Sequence, residues 1–215
     1  MADSRDPSAA VEFDTAVWFD LDGTLVTVGD YAAVVDRACV EAGVDPDAPG
    51  SAYDDRFVAA FEALADDPYR RAATGALAEL DADPDAFVAA LREAEFAAAE
   101  TSPALRERLA RLAADDRYAV GVLTDGLPGW QAGKLERVGL AGYVDATLAS
   151  YEVGAHKPDP AAFVRAEERL PADDRVMVGD DPEADVAAAR ARGWRAFEVD
   201  GPDAAAAVLD ALDSL

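Results

Sequence analysis

The chain has 215 residues, 51% of them hydrophobic, so it can bury a sizeable core. It carries 44 acidic side chains against 19 basic ones, a formal net charge of −25. Binding to nucleic acid or to an anionic membrane needs clustered cations, so this charge argues against both partners. The sequence contains no signal peptide and no apolar stretch of about 18 residues, and we therefore expect a cytoplasmic protein.

The basic residues are almost all arginines, and the only lysines are Lys134 and Lys157. Acidic, lysine-poor and alanine-rich chains are typical of a salt-accumulating cytoplasm, where about 1 M salt shortens the Debye length to about 3 Å and screens self-repulsion. The composition therefore predicts a halophilic protein. An ordinary acidic protein is the alternative.

The first predicted element is a short, continuously apolar strand at residues 16–20, the kind that is buried on both faces of a parallel sheet. Residues 27–100 then show helical periodicity without a convincing strand. The helical patterns lie at residues 30–42, 51–65, 68–80 and 84–99. We expect this stretch to form an inserted domain.

From residue 101 onward, predicted strands alternate with predicted helices. The strands lie at residues 118–124, 175–180 and 194–199, with a weaker candidate at 143–149. This order predicts an α/β fold, a doubly wound and mostly parallel Rossmann-like sheet, with an inserted α-helical cap domain. The predicted boundaries are 1–26 and 101–215 for the catalytic core and 27–100 for the cap.

Chemically capable side chains follow the predicted strands. Asp20 and Asp22 follow the first strand in "WFDLDGTLV", Thr124 ends the second, and Asp180 and Asp181 follow the strand at 175–180. In an open parallel sheet, ligands bind at the carboxyl ends of the strands. We therefore expect these residues to meet in one site.

Two aspartates two positions apart provide oxygen ligands for a hard cation such as Mg²⁺, or a pair in which one carboxylate attacks and the other transfers protons. A zinc site would need more than His156 and Cys39, the only histidine and cysteine. The alternative for Asp20 and Asp22 is that they only cap a turn.

A second acidic cluster, Asp180, Asp181 and Asp185, begins a predicted helix, where it could cap the helix or form the other wall of a cation site. Lys157 offers a compact ammonium group that could balance these charges. Thr124 offers a hydroxyl group in a glycine turn, suited to phosphate oxygens, although threonine is also common in turns.

In order and type, these segments resemble the haloacid dehalogenase-like hydrolase superfamily over the whole chain. The resemblance implies that Asp20 is the nucleophile, Asp22 the general acid and base, Thr124 the phosphate-binding hydroxyl and Lys157 the charge-balancing cation. It also implies a Mg²⁺ site formed by Asp20, the Asp22 backbone and the later acids. The metal residues predicted in this way are Asp20, Asp22, Asp180, Asp181 and Asp185. The helical insert is similar to the four-helix cap of that family.

Family members that cleave carbon–halogen bonds lack the second aspartate, so the presence of Asp22 favours phosphoryl transfer. The resemblance implies a phosphatase that acts on a small phosphorylated metabolite such as phosphoglycolate, a sugar phosphate or a nucleoside monophosphate. Alternatives are a phosphomutase of the same family, or a non-catalytic metal-binding member that acts as a binding protein. The oligomeric state, monomer or homodimer, stays open.

Two further points concern the substrate. Many relatives have asparagine after the threonine, whereas this chain has Asp125, whose charge weakens anion binding unless it turns away or is paired. His156 is interpreted as a structural loop residue. In the cap, five side chains are plausible contacts to the leaving group: Tyr31, Arg37, Arg56, Arg70 and Arg71.

Overall fold

The computed structural model describes residues 13–46, 50–80 and 82–212. The strands are β1 (Phe13–Phe19), β2 (Thr27–Val28), β3 (Ala99–Glu100), β4 (Tyr118–Thr124), β5 (Ala146–Ala149), β6 (Ala172–Gly179) and β7 (Arg195–Glu198). The helices are α1 (Tyr31–Glu41), α2 (Gly50–Glu62), α3 (Pro68–Ala76), α4 (Pro84–Ala98), α5 (Pro103–Ala113), α6 (Pro128–Arg137), α7 (Ser150–Val153), α8 (Pro160–Arg169), α9 (Ala188–Ala191) and α10 (Pro202–Leu212). Residues 1–12 of the predicted core lie outside the described residues.

The central sheet contains five strands in the order β5-β4-β1-β6-β7, and every neighbouring pair is parallel. Four of them were predicted from apolar runs, and β5 falls in the weaker candidate at residues 143–149. The observed fold confirms the predicted α/β, Rossmann-like class. β1 lies at the centre, with Val17 opposite Val120 of β4 and Val176 of β6. The chain therefore places the ends of these three strands next to one another.

β1 is apolar from Ala16 to Phe19 because both faces of the sheet are covered there. Val17 and Phe19 contribute to one cluster of buried side chains, which α5 and α10 complete. Ala16 and Trp18 point into the other cluster, which includes residues of α8 and α9. Burial on both sides removes the polar alternation of a half-exposed strand.

Helices α1 to α4 occupy the stretch predicted to be helical and share a separate apolar cluster. Tyr53, Phe87 and Leu91 are fully buried there, and Trp130 of α6 packs against the same cluster from the core side. The Trp130 ring stacks on Tyr69 with 3.7 Å between ring centroids. The boundary of a cap domain at residues 27 and 100 stays a prediction.

The prediction that residues 27–100 contain no strand is wrong at both ends of this stretch. β2 pairs with β3 in antiparallel orientation, Thr27 opposite Glu100 and Val28 opposite Ala99. The two connections between the helices and the sheet therefore run side by side. Two residues are too few for a periodic pattern in the sequence, and only the approach of the distant partner makes them a strand.

The longest described helix, α4, has 15 residues. A helix that crosses a bilayer needs about 20 predominantly apolar residues. Within the described ranges, no helix has both the length and the apolar character needed for such a span.

Candidate active site

The carboxyl ends of β1, β4 and β6 form one edge of the sheet and carry the predicted site residues. Asp20 follows β1 directly, Thr124 is the last residue of β4, and Asp180 follows β6 directly. Lys157 reaches the same edge from the loop between α7 and α8. A cleft of about 210 Å³ is lined by all seven predicted side chains: Asp20, Asp22, Thr124, Lys157, Asp180, Asp181 and Asp185.

The centre of this cleft is a buried triad of one lysine and two aspartates. The Lys157 Nζ lies 2.6 Å from the Asp20 Oδ1 and 2.6 Å from the Asp185 Oδ1. Burial raises the pKa of Asp20 to about 7, although Lys157 opposes this shift. Burial alone would lower the pKa of Lys157, but the charges of Asp20 and Asp185 outweigh it and raise that pKa. Lys157 is therefore cationic, while Asp20 needs further positive charge to stay ionised at neutral pH.

Two glycines let the carboxylates approach the backbone. Gly23 has a φ of +87°, and a Cβ there would come within 2.4 Å of the Asp180 Oδ2. At Gly179, a Cβ would lie 2.2 Å from the Asp185 Oδ2. Any side chain at either position would displace an acidic group of the cleft, so the glycine after Asp22 serves packing as well as the turn.

Asp20, Asp180 and Asp185 fit a divalent cation. One oxygen atom from each lies within 4.8 Å of the others, and carboxylate oxygens are the ligands that Mg²⁺ prefers. Thr24 supports this group because its hydroxyl donates to the Asp180 Oδ1 at 3.3 Å. Lys157 supplies only one positive charge against three carboxylates. The group therefore has a net negative charge that a cation would balance. Ligation by these residues stays a prediction.

Asp181 lies at the rim of the cleft and caps the following turn. Its Oδ1 accepts from the N–H groups of Glu183 and Ala184, each at 2.8 Å, and these bonds lower the pKa of its carboxyl group. The predicted continuous helix is divided here: Pro182–Ala187 form a π-helical turn that leads into α9. The wider turn aims Asp185 back at Lys157, and the capping role sets Asp181 apart from the three clustered carboxylates.

Asp22 faces the other side of the cleft and is held by α6. The Lys134 Nζ lies 2.8 and 2.9 Å from the two Asp22 oxygens, and 2.6 Å from the Glu95 Oε1. Burial alone would lower the pKa of Lys134, but Asp22 and Glu95 outweigh it and raise that pKa. Asp22 is half-exposed, whereas Lys134 and Glu95 are buried. Their pairing links α4 to the core.

Three residues around Asp22 were not predicted from the sequence: Lys134, Gln131 and Glu95. Gln131 donates from Nε2 to the Asp22 Oδ2 at 2.9 Å and to the Thr124 Oγ1 at 2.8 Å, so the Thr124 hydroxyl keeps its own proton for another acceptor. One signal was available for Lys134, because the chain has only two lysines, and one contacts Asp20 while the other contacts Asp22. Nothing in the helical pattern around Glu95 marks it.

Asp125 lines the small cleft, and its carboxylate is bound to the loop that carries Lys157. Its Oδ1 accepts from the backbone N–H of Lys157 at 3.1 Å and lies 3.5 Å from the His156 Nδ1. The other ring nitrogen of His156 contacts the carbonyl oxygen of Phe61 at 2.8 Å. His156 therefore connects the loop before α8 with the end of α2, which extends the structural interpretation made from the sequence.

A larger cavity of about 490 Å³ adjoins Asp22 and lies between the core and helices α1 to α4. Tyr31, one of the five predicted cap contacts, lines this cavity. The four arginines do not line it, and all of them bind elsewhere. Arg37 pairs with Glu41 and Arg70 with Asp85, while Arg56 and Arg71 donate to the carbonyl oxygens of Ala52 and Asp66.

Comparison with characterised proteins relates the chain to named phosphatases. It is 40% identical over 114 residues to the phosphoserine phosphatase of Thermus thermophilus, which covers 51% of this chain and 46% of that protein. The chain thus spans about half the length of this relative. It is 30% identical over 190 residues to the glyceraldehyde 3-phosphate phosphatase of Methanopyrus kandleri, which covers 83% of this chain and 80% of that one.

The fold matches solved structures over most of its length. The 2-haloacid dehalogenase of Pseudomonas syringae aligns with a TM-score of 0.67 at 24% identity, over 87% of this chain and 86% of that one. This likeness concerns the fold alone. The sequence pattern of the haloacid dehalogenase-like hydrolases matches residues 15–193 and therefore includes both walls of the cleft. The chain belongs to the haloacid dehalogenase-like hydrolase family.

Proposed function

We propose that the protein is a magnesium-dependent phosphatase that hydrolyses small-molecule phosphate monoesters through an aspartyl phosphate on Asp20. The observation that carries this proposal is the different environment of the two aspartates. Asp20 lies 2.6 Å from Lys157 in the buried triad, whereas Asp22 faces the larger cavity. One carboxylate is thus suited to attack phosphorus and the other to exchange protons with the departing group.

In the first half-reaction, an Asp20 oxygen attacks phosphorus in line, and the bond between phosphorus and the alcohol oxygen breaks. Asp22 donates a proton to that oxygen, so the product leaves as an alcohol. Lys157 balances the charge of Asp20, and the Thr124 hydroxyl donates a hydrogen bond to a phosphoryl oxygen. These groups stabilise negative charge where it accumulates on the transferring group.

In the second half-reaction, Asp22 takes a proton from water, and the water oxygen attacks phosphorus. The bond between phosphorus and Asp20 breaks, which releases phosphate and restores both carboxyl groups. Lys134 contacts both Asp22 and Glu95, and a shift toward Glu95 would free Asp22 to hold its proton. Bound Mg²⁺, held by Asp20, Asp180 and Asp185, would add positive charge that balances the phosphoryl oxygens.

The named relatives support this reading. The Thermus and Methanopyrus proteins carry the names of phosphatases that act on small phosphorylated metabolites. We extend the same class of substrate to this chain, in a cytoplasmic protein with no nucleic-acid partner. The acidic composition further favours a salt-rich cytoplasm.

The test is phosphate release from a panel of phosphate monoesters in molar KCl, with and without Mg²⁺. We expect release that needs Mg²⁺, and a loss of at least about 10³-fold in the Asp20→Asn variant. Asp14→Asn is the matched control, since Asp14 is an exposed carboxylate on the same strand. Acid quenching with labelled substrate should trap phosphate on the wild-type protein and not on Asp20→Asn.

Four results would contradict the proposal. Full activity of Asp20→Asn would exclude the covalent mechanism. Transfer of the phosphoryl group to a second hydroxyl of the sugar, without free phosphate, would identify a mutase. No release from any ester by folded protein would favour a binding protein, and halide release from a 2-haloacid would favour dehalogenation.

A further inference from the structure

The cavity next to Asp22 is where the alcohol part of a substrate would lie, and we call it the leaving-group pocket. It is about 490 Å³ in volume, shares Asp22 and Asp125 with the smaller cleft, and is walled by helices α1 to α4 on the far side. A phosphoryl group next to Asp20 would direct the rest of its ester into this space. The identity of the lining residues therefore bears on which esters fit.

The far wall is aromatic. Four rings line it: Tyr31, Phe57, Phe61 and Tyr69. Phe57 packs on Tyr69 with 4.7 Å between centroids and on Phe61 with 5.4 Å, so these rings form a continuous surface rather than isolated contacts. Such a surface favours a flat or apolar group, because aromatic side chains bind apolar area and stack on rings.

The charged groups of the pocket are mainly acidic. Asp22, Glu95 and Asp125 line it together with a single ammonium group, that of Lys134. Lys134 already contacts Asp22 at 2.8 Å and Glu95 at 2.6 Å. Its charge is therefore already balanced, and a carboxylate of the substrate would meet an excess of negative side chains.

No arginine lies among the described residues that line the pocket. Arg70 and Arg71, on α3 beside it, bind Asp85 and the Asp66 carbonyl oxygen on the outer surface. A site that recognises a second phosphate or a carboxylate normally uses guanidinium or ammonium groups with free donors. The described lining contains no such group.

We propose that the leaving group is an uncharged alcohol with a flat or apolar part, and that the pocket rejects esters with a second anionic group. This inference rests on the proposed phosphatase function and specifies its substrate class. It favours sugar phosphates and nucleoside monophosphates over phosphoglycolate and over bisphosphates. The volume of about 490 Å³ leaves room for a ring as large as a nucleobase with its sugar.

The test uses pairs of esters that differ only in one carboxylate: 2-hydroxyethyl phosphate against phosphoglycolate, glycerol 3-phosphate against 3-phosphoglycerate, and benzyl phosphate against 4-carboxybenzyl phosphate. We expect kcat/KM to favour the uncharged member of each pair by about 10- to 100-fold. We also expect a higher kcat/KM for benzyl phosphate than for 2-hydroxyethyl phosphate. Equal values within the pairs, or a preference for the carboxylates, would overturn the proposal.

Variants test the cause of the preference. Glu95→Gln combined with Asp125→Asn keeps the shape of the pocket and removes two negative charges, so the ratio within each pair should fall several-fold. Glu136→Gln is the matched control, because Glu136 is exposed on α6 and does not line the pocket. An unchanged ratio in the double variant would contradict the electrostatic explanation.

The aromatic wall has its own test. Phe57→Ala should lower kcat/KM for benzyl phosphate more than for 2-hydroxyethyl phosphate, and an equal loss for both esters would contradict a role for the rings.

A binding measurement separates this inference from the proposed function. The same pairs are titrated calorimetrically into the Asp20→Asn variant with Mg²⁺, where no turnover is needed. Tighter binding of the uncharged members supports the pocket assignment even if the wild-type protein releases no phosphate. Turnover that depends on Asp20, together with tighter binding of the carboxylates, would refute the inference and leave the phosphatase function standing.

Discussion

The small cleft beside Asp20 is the phosphate end of the site, and the leaving-group pocket is its leaving-group end. Each end contains one buried lysine between two carboxylates, but the two are built from different parts of the chain. At the phosphate end, Lys157 contacts Asp20 and Asp185. Asp20 directly follows β1, Asp185 lies in the π-helical turn after β6, and Lys157 lies in the loop between α7 and α8. At the leaving-group end, Lys134 contacts Asp22 of the core and Glu95 of α4.

The two ends therefore depend on different contacts within the fold. The phosphate end is built from segments that follow β1, β4 and β6 and from the loop before α8, without a described residue of α1 to α4. Its net negative charge suits a cation, which could in turn bind the phosphoryl group that every phosphate monoester shares. The leaving-group end is complete only when α4 packs against α6, and its aromatic wall comes from α1 to α3. Under the proposed function, the first set of residues carries the chemistry, and the helices α1 to α4 select the substrate.

The largest effect should come from the phosphate end. Lys157→Met removes the cation beside Asp20 and should lower kcat by about 10²- to 10³-fold for every ester, because the transferring charge loses a partner. Steady-state kinetics over the ester panel measure this. Substrate-dependent losses would place Lys157 at the leaving group instead.

At the leaving-group end, the ion pair between Lys134 and Glu95 should contribute to the free energy of unfolding. Lys134→Met leaves the buried Glu95 carboxylate without its cation, with only the Tyr31 hydroxyl, at 3.4 Å, as a donor among the described residues. It should lower the free energy of unfolding by about 3 kcal/mol, whereas adding Glu95→Gln should recover part of that loss. Urea unfolding of both single variants and the double variant measures the coupling. Additive losses would show that the two residues act independently.

Magnesium should stabilise the phosphate end in particular. At a concentration of about 100 times its Kd, Mg²⁺ should add about 2.7 kcal/mol and raise the Tm by roughly 5–10 °C. Asp180→Asn should remove most of this shift, and Asp203→Asn on α10, away from the cleft, should not. An equal shift in both variants would mean that Mg²⁺ acts through the general acidic surface.

The smallest effect should come from the contact between α2 and the core. The Phe61 carbonyl oxygen contacts the His156 Nε2 at 2.8 Å and accepts from the Tyr151 hydroxyl at 3.4 Å. Tyr151→Phe removes one of these bonds and should raise KM a few-fold with kcat unchanged, at a cost of up to about 1 kcal/mol. A change confined to kcat would argue against a role in holding α2.

Much of the phosphate end was predictable because parallel strands bring their carboxyl ends together. Apolar runs located β1, β4 and β6, and Asp20, Thr124 and Asp180 therefore had to converge. The pairing of β2 with β3 was not predictable, since two residues carry no periodicity and their partner is distant in sequence.

The sequence by itself determined the fold class, the acidic character and the convergence of Asp20, Thr124 and Asp180 at one edge of the sheet, because these depend on local hydrophobic pattern and on residue type. Only the tertiary structure decided the partners of Lys134, the pairing of Asp125 and the lining of the leaving-group pocket. These contacts join residues that are far apart in the chain, and packing between separate elements sets them. A helical pattern defines which residues share a face, but not which distant side chain that face will meet.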